Sequence, residues 1–189
     1  MPTADWLIVG LGNPGSEYAG TPHNIGFDVA ERLRNRWEFP KPKAKYRGLI
    51  TDGSARERGV YGTPASRITI LWPQTYMNES GRAVGPARGE LHLEPEQILV
   101  LHDEIDLPFA EVRTRLGGGL AGHNGLKSIK AQLGSADFHR IRIGVGRPQS
   151  TDPQLVAAYV LGKYRQPRDE VEALIDAAAD AAERVIFGS

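Results

Sequence analysis

The chain has 189 residues, 23 of them basic and 23 acidic, so the whole molecule does not attract nucleic acid or membranes by net charge. It contains no cysteine, which excludes disulfides and zinc sites built on thiolates. Its first residues carry no basic segment, and no run approaches the roughly 20 apolar residues of a membrane span, so we expect a cytoplasmic protein without a signal peptide.

Short apolar runs separated by amphipathic segments indicate an α/β fold. Three continuous apolar runs predict strands that are buried on both faces. These runs are WLIVGL (6–11), RITILW (67–72) and QILVLHD (97–103). The first two of four further patterns predict edge strands or a hairpin, and the last two alternate, which predicts strands whose two faces differ in polarity. These patterns are RGLIT (47–51), GVYG (59–62), EVRTRLG (111–117) and FHRIRIGVG (138–146).

Helices are predicted between and after these strands. Apolar residues recur every fourth position over 25–37, and a shorter apolar pattern marks a helix over 126–133. Segment 77–91 predicts a helix interrupted by glycine and proline, and a long terminal helix begins near Pro167. The element order predicts a single domain over 1–189, a three-layer α/β/α fold whose mixed, mostly parallel twisted sheet is flanked by helices.

The loop after the first strand, GLGNPG (10–15), matches the G-x-G-x-x-G pattern of dinucleotide-binding folds. In those folds the last glycine lies in the first turn of a helix, and an acidic residue follows about 20 positions later. Here Pro14 precedes that glycine, the best helix start is at Thr21, and Asn35 replaces the acid. We therefore predict no cofactor and interpret the loop as a turn that brings Asn13 close to a ligand.

Polar side chains follow the ends of the three buried strands, and others lie in the glycine-rich loop GGGLAGHNG (117–125). Because the carboxyl ends of parallel strands meet at one edge of a sheet, we expect these groups to converge. They are Asn13, Tyr18, His23, Tyr76, Asn78, Asp103, His123 and Asn124. One good base, an orienting acid, amides and aromatic rings suit the hydrolysis of a neutral acyl bond by activated water.

His23 and Asp103 are the candidate base and its orienting acid. An aspartate beside a histidine fixes the tautomer of the imidazole and raises its basicity. The alternatives are capping roles for both residues and structural turn roles for the asparagines. A metal site on HDEID (102–106) is disfavoured, because strand alternation points His102 and Glu104 to the other face. We predict no bound metal.

Positive charge is concentrated in residues 111–147, with seven basic against two acidic side chains, whereas residues 165–189 hold three basic against six acidic. Alternation places Arg140 and Arg142 on the same strand face. The ordinary interpretation is a solvated sheet face. The alternative is a track for RNA phosphates, to which the glycine-rich loop adds backbone N–H groups. Lys127 and Lys130 follow that loop in the next turns of the chain.

Six motifs, in order and spacing, resemble the bacterial-type peptidyl-tRNA hydrolase family over residues 5 to about 187. They are LIVGLGNPG, TPHNIGF, QTYMNESG, VLHDEIDLP, GGGLAGHNGLKSI and FHRIRIGVGRP. The resemblance implies an enzyme that cleaves the ester between a peptide and the terminal ribose of tRNA, and so recycles tRNA from aborted translation. It also implies a monomer that needs no metal, cofactor, membrane or obligate protein partner.

The same resemblance implies roles for the candidate residues. The implied catalytic residues are His23, Asp103 and Asn13. The implied contacts with substrate and tRNA are Tyr18, Tyr76, Met77, Asn78, His123, Asn124, Arg113, Arg115, Lys127, Lys130 and Arg142. In this scheme His23 activates water, Asp103 holds His23 in its basic form, and Asn13 senses that the amino group is acylated. The other amides bind the peptide carbonyl, the acceptor end or water, and the tyrosines line the 3′ end.

Two rival functions and one departure accompany this prediction. A non-catalytic RNA-binding relative would keep the basic face but would not need His23 and Asp103. A nucleotide-dependent oxidoreductase is weakened by Pro14 and by the missing acid. The departure is Leu120-Ala121, where many family members carry glycine or a polar residue, so the flexibility of the glycine-rich loop is in question.

Overall fold

The computed structural model describes residues 4–188. The strands are β1 (Trp6–Gly10), β2 (Lys43–Lys45), β3 (Gly48–Ala55), β4 (Ser66–Pro73), β5 (Ile98–Glu104), β6 (Val112–Leu116) and β7 (His139–Gly144). The α-helices are α1 (Ile25–Arg36), α2 (Gly81–Leu91), α3 (Asn124–Leu133), α4 (Pro153–Leu161) and α5 (Arg168–Phe187). Among these helices, none combines the length and the apolarity that a bilayer crossing requires.

The seven strands form one sheet in the order β2-β3-β4-β1-β5-β7-β6. The central strands β4, β1, β5 and β7 are parallel, whereas β3 and β6 are antiparallel to their inner neighbours. This confirms the predicted mixed, mostly parallel sheet. The C-terminal ends of the four central strands lie along one side of the sheet, which we call the carboxyl edge.

Helices cover both faces of the sheet, which confirms the predicted layers. α1 and α5 pack on one face around Ile8 and Ile70, and α2 and α3 pack on the other around Leu7 and Val9. The apolar run of β1 is continuous because its successive side chains enter opposite cores.

Glycines hold the N-terminus of α1 against the carboxyl edge. A Cβ on Gly26 would lie 2.3 Å from the carbonyl oxygen of Leu101 and 2.6 Å from the backbone nitrogen of Leu11. Only glycine allows this approach, so the segment just before α1 is held over β1 and β5. That segment is a 3-10 turn at Pro22–Asn24, well beyond the loop 10–15. Gly26 therefore allows strand–helix packing, and α1 does not begin within the loop 10–15 as the helix of a dinucleotide-binding fold would.

The predicted interruption of the second helix is wrong, because α2 is continuous and contains Pro86. A Cβ on Gly81 would lie 2.2 Å from the carbonyl oxygen of Ser128 in α3. Glycine thus allows the two helices to approach closely, and this packing outweighs the poor helix propensity of glycine and proline. A 3-10 turn at Met77–Glu79 precedes α2.

Helix α4 was not predicted, because its apolar residues surround the helix and give no amphipathic pattern. The side chain of Asp152 caps its N-terminus and Pro153 occupies its first position, which is a usual helix start. The weak prediction at 59–62 is also wrong, since these residues form no strand. The prediction at 47–51 corresponds to the longer strand β3.

Ion pairs join α5 to α1. Arg36 lies 2.8 Å from a carboxylate oxygen of Asp180 and 2.7 Å from one of Glu183, and Arg32 pairs with Glu172. The acidic residues of the C-terminal segment are therefore partly neutralised by the arginines of α1 and do not form an isolated acidic surface.

Candidate active site

Four segments at the carboxyl edge bring polar side chains together, as predicted from the strand ends. Asn13 follows β1, and Asp103 is the penultimate residue of β5. His23 lies in the 3-10 turn before α1, and His123 immediately precedes α3. Parallel pairing of β1 with β5 places these segments side by side.

Asp103 joins two histidines. It is 3% exposed, its Oδ2 lies 2.8 Å from Nδ1 of His23, and its Oδ1 lies 2.8 Å from Nε2 of His123. Burial raises the pKa of Asp103, but the charges of the two histidines and the hydrogen bonds from them lower it well below the usual range. Asp103 is therefore an ionised acceptor for both rings at neutral pH.

The hydrogen bond to Asp103 fixes the tautomer of His23. Nδ1 of His23 carries the proton that it donates to Asp103, so the lone pair of the neutral ring is on Nε2. The side chain is 17% exposed and lines a cleft. Burial lowers the pKa of His23, but the charge of Asp103 and the hydrogen bond to it raise the pKa overall above 6.5. His23 is thus a strengthened base with one nitrogen free.

Both ring nitrogens of His123 are used by the protein. Its Nδ1 accepts hydrogen bonds from the backbone nitrogens of Gly125, at 3.1 Å, and Leu126, at 3.4 Å, in the first turn of α3. Nε2 therefore carries the proton that is donated to Asp103. Although His123 is expected as a substrate contact, this geometry favours a positioning role for it.

The proton pattern of His123 also bears on metal binding. One ligand atom each from His23, Asp103 and His123 lies within 4.8 Å of the others, so the three side chains form a possible ligand set. A metal on Nε2 of His123 would require a proton on Nδ1, which faces two backbone N–H donors. The hydrogen bonds therefore favour proton chemistry over metal binding at this position.

Asn13 is fixed by three hydrogen bonds. Its backbone nitrogen donates to Oδ1 of Asn24, and its carbonyl oxygen accepts from Nδ2 of Asn24, each at 2.9 Å. Its side-chain Oδ1 accepts from the backbone nitrogen of Met77 at 2.7 Å. Because the oxygen of the amide is occupied, Asn13 presents its NH₂ group to the cleft. It offers a donor that suits a substrate carbonyl.

The cleft has a polar wall and an apolar wall around a volume of about 490 Å³. The polar wall contains Asn13, His23 and Asp103, with the end of the glycine-rich loop beside them. The apolar wall is the unpredicted helix α4, which contributes Val156 and Val160. The cleft can therefore hold a polar reacting bond next to an apolar group.

The other predicted substrate contacts divide into two sets. Asn124 is exposed and lines the cleft, whereas Tyr76 is 61% exposed and lines a neighbouring groove. Asn78 is exposed and Met77 is buried on the 3-10 turn before α2, and Tyr18 is half-buried in the loop after β1. Asn78, Met77 and Tyr18 do not line the cleft. Met77 affects it through its backbone N–H, which holds the side chain of Asn13.

The basic side chains predicted as phosphate ligands lie on β6, β7 and α3. Those exposed to solvent are Arg113, Arg115, Lys127 and Lys130. Arg142 is less exposed, and its Nε lies 3.0 Å from a carboxylate oxygen of Glu104. The exposed set is compatible with contacts to phosphate, and Arg142 is partly neutralised.

Arg140 shares the face of Arg142, as alternation predicts, but it is only 1% exposed and contributes no surface charge. Its guanidinium donates to the carbonyl oxygens of Gly119 at 2.6 Å, Ala136 at 3.0 Å and Gly118 at 3.3 Å. Arg140 thereby fastens the glycine-rich loop to the sheet, next to His123.

We expect Arg140→Met to destabilise the protein by about 2 kcal/mol, because buried carbonyl groups lose their donor. Amide hydrogen exchange over residues 117–122 should accelerate. Arg113→Met, at an exposed position, should change the free energy of unfolding by less than about 0.5 kcal/mol. Denaturant titration of both variants measures this difference, and equal stabilities would contradict the anchoring role of Arg140.

The departure at Leu120-Ala121 also has a structural explanation. Leu120 packs against the core between the sheet and helices α2 and α3. Ala121 has a φ of 51°, in the left-handed region that favours glycine. The loop is thus anchored by one residue and strained at the next, which explains why glycine suits position 121.

Three contributors to the site were missed by the sequence interpretation. Asn24 stands beside His23 in the TPHN motif, and this adjacency was the available signal. For helix α4 the available signal was its start at Asp152. For Arg140 there was no signal in the sequence, because alternation does not distinguish a covered residue from an exposed one.

The chain is similar to known proteins over nearly its whole length. The model of the family described as "Peptidyl-tRNA hydrolase" matches residues 7–188. A protein of that name from Parvibaculum lavamentivorans is 44% identical over 184 residues, covering 96% of this chain and 84% of the relative. Another from Methylocella silvestris is 46% identical over 177 residues, covering 93% and 85%.

Solved structures give the same result. The crystal structure of peptidyl-tRNA hydrolase from Acinetobacter baumannii superposes with a TM-score of 0.80 at 39% identity. The match covers 98% of this chain and 89% of that one. With matching motifs, fold and sequence, the chain belongs to the peptidyl-tRNA hydrolase family.

Proposed function

We propose that the cleft hydrolyses the ester between a peptide and the 3′-terminal ribose of tRNA, with His23 as general base. The observation that carries this proposal is the free Nε2 of His23, whose Nδ1 is bound to the ionised Asp103. Nε2 removes a proton from water as the water attacks the ester carbonyl. The protonated ring then gives a proton to the departing ribose hydroxyl, which restores the neutral base.

Amide donors at the cleft stabilise and select the substrate. Asn124 lines the cleft, and in this proposal its side-chain amide binds the oxygen that becomes negative in the tetrahedral intermediate. The fixed NH₂ group of Asn13 donates to the carbonyl of the acyl group on the substrate nitrogen. A free α-ammonium offers only donors, so an unblocked aminoacyl-tRNA lacks this contact. The apolar wall of α4 is suited to the peptide side chains.

The test is release of tRNA from N-acetyl-aminoacyl-tRNA, beside the same tRNA with an unblocked amino acid, in the presence of EDTA. We expect rapid cleavage of the blocked substrate alone. Asn13→Asp should reduce the preference for the blocked substrate, because a carboxylate accepts where the amide donates. RNA binding without cleavage would instead support a non-catalytic RNA-binding protein, and cleavage abolished by EDTA would contradict metal independence.

We further propose that the enzyme acts as one domain and as a monomer in the cytoplasm, without a cofactor. Light scattering coupled to size-exclusion chromatography should give the mass of one chain, 20.6 kDa. A concentration-dependent dimer would contradict this part of the proposal.

A further inference from the structure

The turn between β2 and β3 lies at the same edge of the sheet as the cleft. Gly48 at the start of β3 pairs with Pro73 at the end of β4, and Lys45 at the end of β2 pairs with Gly48. The carbonyl oxygen of Arg47 accepts from the backbone nitrogen of Gln74, at 2.9 Å. The turn is therefore attached to the segment that follows β4 and carries Tyr76.

The residues of this turn are unusual for their backbone conformation. Tyr46 and Arg47 have φ values of 55° and 54°, and a two-residue turn of this kind favours Asn-Gly. Tyr46 has a structural role, because it packs against the core beneath α2. Arg47 is exposed, and packing does not explain an arginine there.

Arg47 lines an open groove of about 860 Å³ beside the cleft. Pro14, Leu49 and Tyr76 line the same groove, and Pro14 is adjacent to Asn13. The hydroxyl of Thr75, also at the groove, is buried without a hydrogen-bond partner among residues 4–188. The groove thus combines an exposed ring, an apolar surface and polar groups next to the reacting centre.

The charges around the groove leave the guanidinium of Arg47 available. Glu79 lines the groove and lies 3.4 Å from Arg82, and Glu90 lies 3.0 Å from Lys45. Within the described residues 4–188, no carboxylate pairs with Arg47. Lysines on an exposed edge strand such as β2 are explained by protection against aggregation, but Arg47 lies in the turn, where that explanation does not apply.

We propose that Arg47 binds a backbone phosphate in the single-stranded 3′ end of the substrate tRNA, where that strand crosses the groove toward the cleft. This inference rests on the proposed function. The planar guanidinium suits bidentate binding of a phosphate, and the ring of Tyr76 offers a stacking surface for a base beside it. The turn that carries Arg47 and the strand β6 that carries Arg113 and Arg115 lie at opposite ends of the strand order, with β1 and β5 between them.

The test uses Arg47→Gly, which removes the charge and suits the left-handed turn. We expect this variant to melt at the same or a higher temperature than the wild type. Its KM for N-acetyl-aminoacyl-tRNA should rise at least about tenfold with kcat little changed, since the charge-assisted contact with the phosphate is lost. Arg47→Lys should recover part of the loss. The salt dependence of binding should weaken by about 0.7 in log–log slope, as expected for one single-strand contact.

Two controls make the result specific. N-acetyl-aminoacyl-adenosine carries the ester but no phosphate, so its hydrolysis should be unaffected by Arg47→Gly. Arg56→Gln removes an exposed charge just beyond the other end of β3 and should leave the KM for tRNA unchanged. An unchanged KM and salt slope in Arg47→Gly, or an equal loss on the phosphate-free substrate, would overturn the inference. If the wild type cleaves neither N-acetyl-aminoacyl-tRNA nor N-acetyl-aminoacyl-adenosine, the proposed function itself is rejected.

Discussion

Replacing His23 by asparagine is expected to reduce kcat by about 10²–10⁴-fold, the usual contribution of a positioned general base. His23 is the cleft residue with a free basic nitrogen, because both nitrogens of His123 are hydrogen-bonded within the protein. KM should change little, since the proposed substrate contacts are made by other residues. Single-turnover cleavage of N-acetyl-aminoacyl-tRNA measures the chemical step directly.

The matched control is His92→Asn. His92 is exposed after α2 with a φ of 54°, a conformation that asparagine tolerates. This variant should retain wild-type kcat. Circular dichroism and a melting curve for both variants separate loss of chemistry from loss of fold. Near-wild-type activity in a folded His23→Asn protein would remove His23 from the mechanism.

Asp103→Asn is expected to lower kcat by at least about 10²-fold and to change its pH dependence. In the wild type, the carboxylate accepts from both histidines, whereas an asparagine side chain turns its NH₂ toward one of the two rings. Either His23 loses its acceptor, or the interaction that holds His123 is broken. Both outcomes disturb the orientation of the base.

The pH dependence follows from the direction of the pKa of His23. In the proposed mechanism neutral His23 is the active form, so we expect activity to fall as the pH decreases through the pKa of His23. In the wild type that pKa lies above 6.5, because Asp103 more than offsets the effect of burial. Without the carboxylate, burial remains and lowers the pKa. The acidic limb of kcat/KM should therefore move to lower pH in Asp103→Asn.

Asp106→Asn is the matched control for this experiment, since Asp106 is exposed on the segment after β5. Its acidic limb should coincide with that of the wild type.

The pH dependence of the free energy of unfolding gives a second measurement. The lowered pKa of Asp103 stabilises the folded protein above its unfolded pKa of about 3.9, and this contribution is lost as pH falls below it. An acidic limb unchanged in Asp103→Asn would mean that Asp103 does not act through His23.

The central sheet and the convergence of polar residues at its carboxyl edge were predictable because buried parallel strands have a strong local signature. Apolar side chains on both faces identify β1, β4 and β5, and the polar residues after them must lie together once the strands are parallel. The pairing of His23 with Asp103 follows from this rule. The second bond of Asp103 does not, because it depends on how the N–H groups of α3 meet His123.

Other features depend on packing that local patterns do not contain. Arg140 and Arg142 alternate identically, and only the position of the glycine-rich loop makes one buried and the other accessible. Helix α4 lacks an amphipathic pattern because its apolar side chains line the cleft or are exposed, and Val160 is its one buried residue. Functional surfaces of this kind contradict the ordinary rule that apolar residues mark the core.

The ion pairs between α1 and α5 have a consequence for how a polyanion approaches the enzyme. Because Arg32 and Arg36 neutralise acidic groups of α5 locally, those carboxylates scarcely offset the field of the exposed lysines on α3. Although the molecule has zero net charge, we expect this uneven charge to favour diffusional encounters in which its basic side faces RNA. We expect this preference to weaken as salt is added. The Debye length is about 8 Å at physiological ionic strength, which is already shorter than the protein.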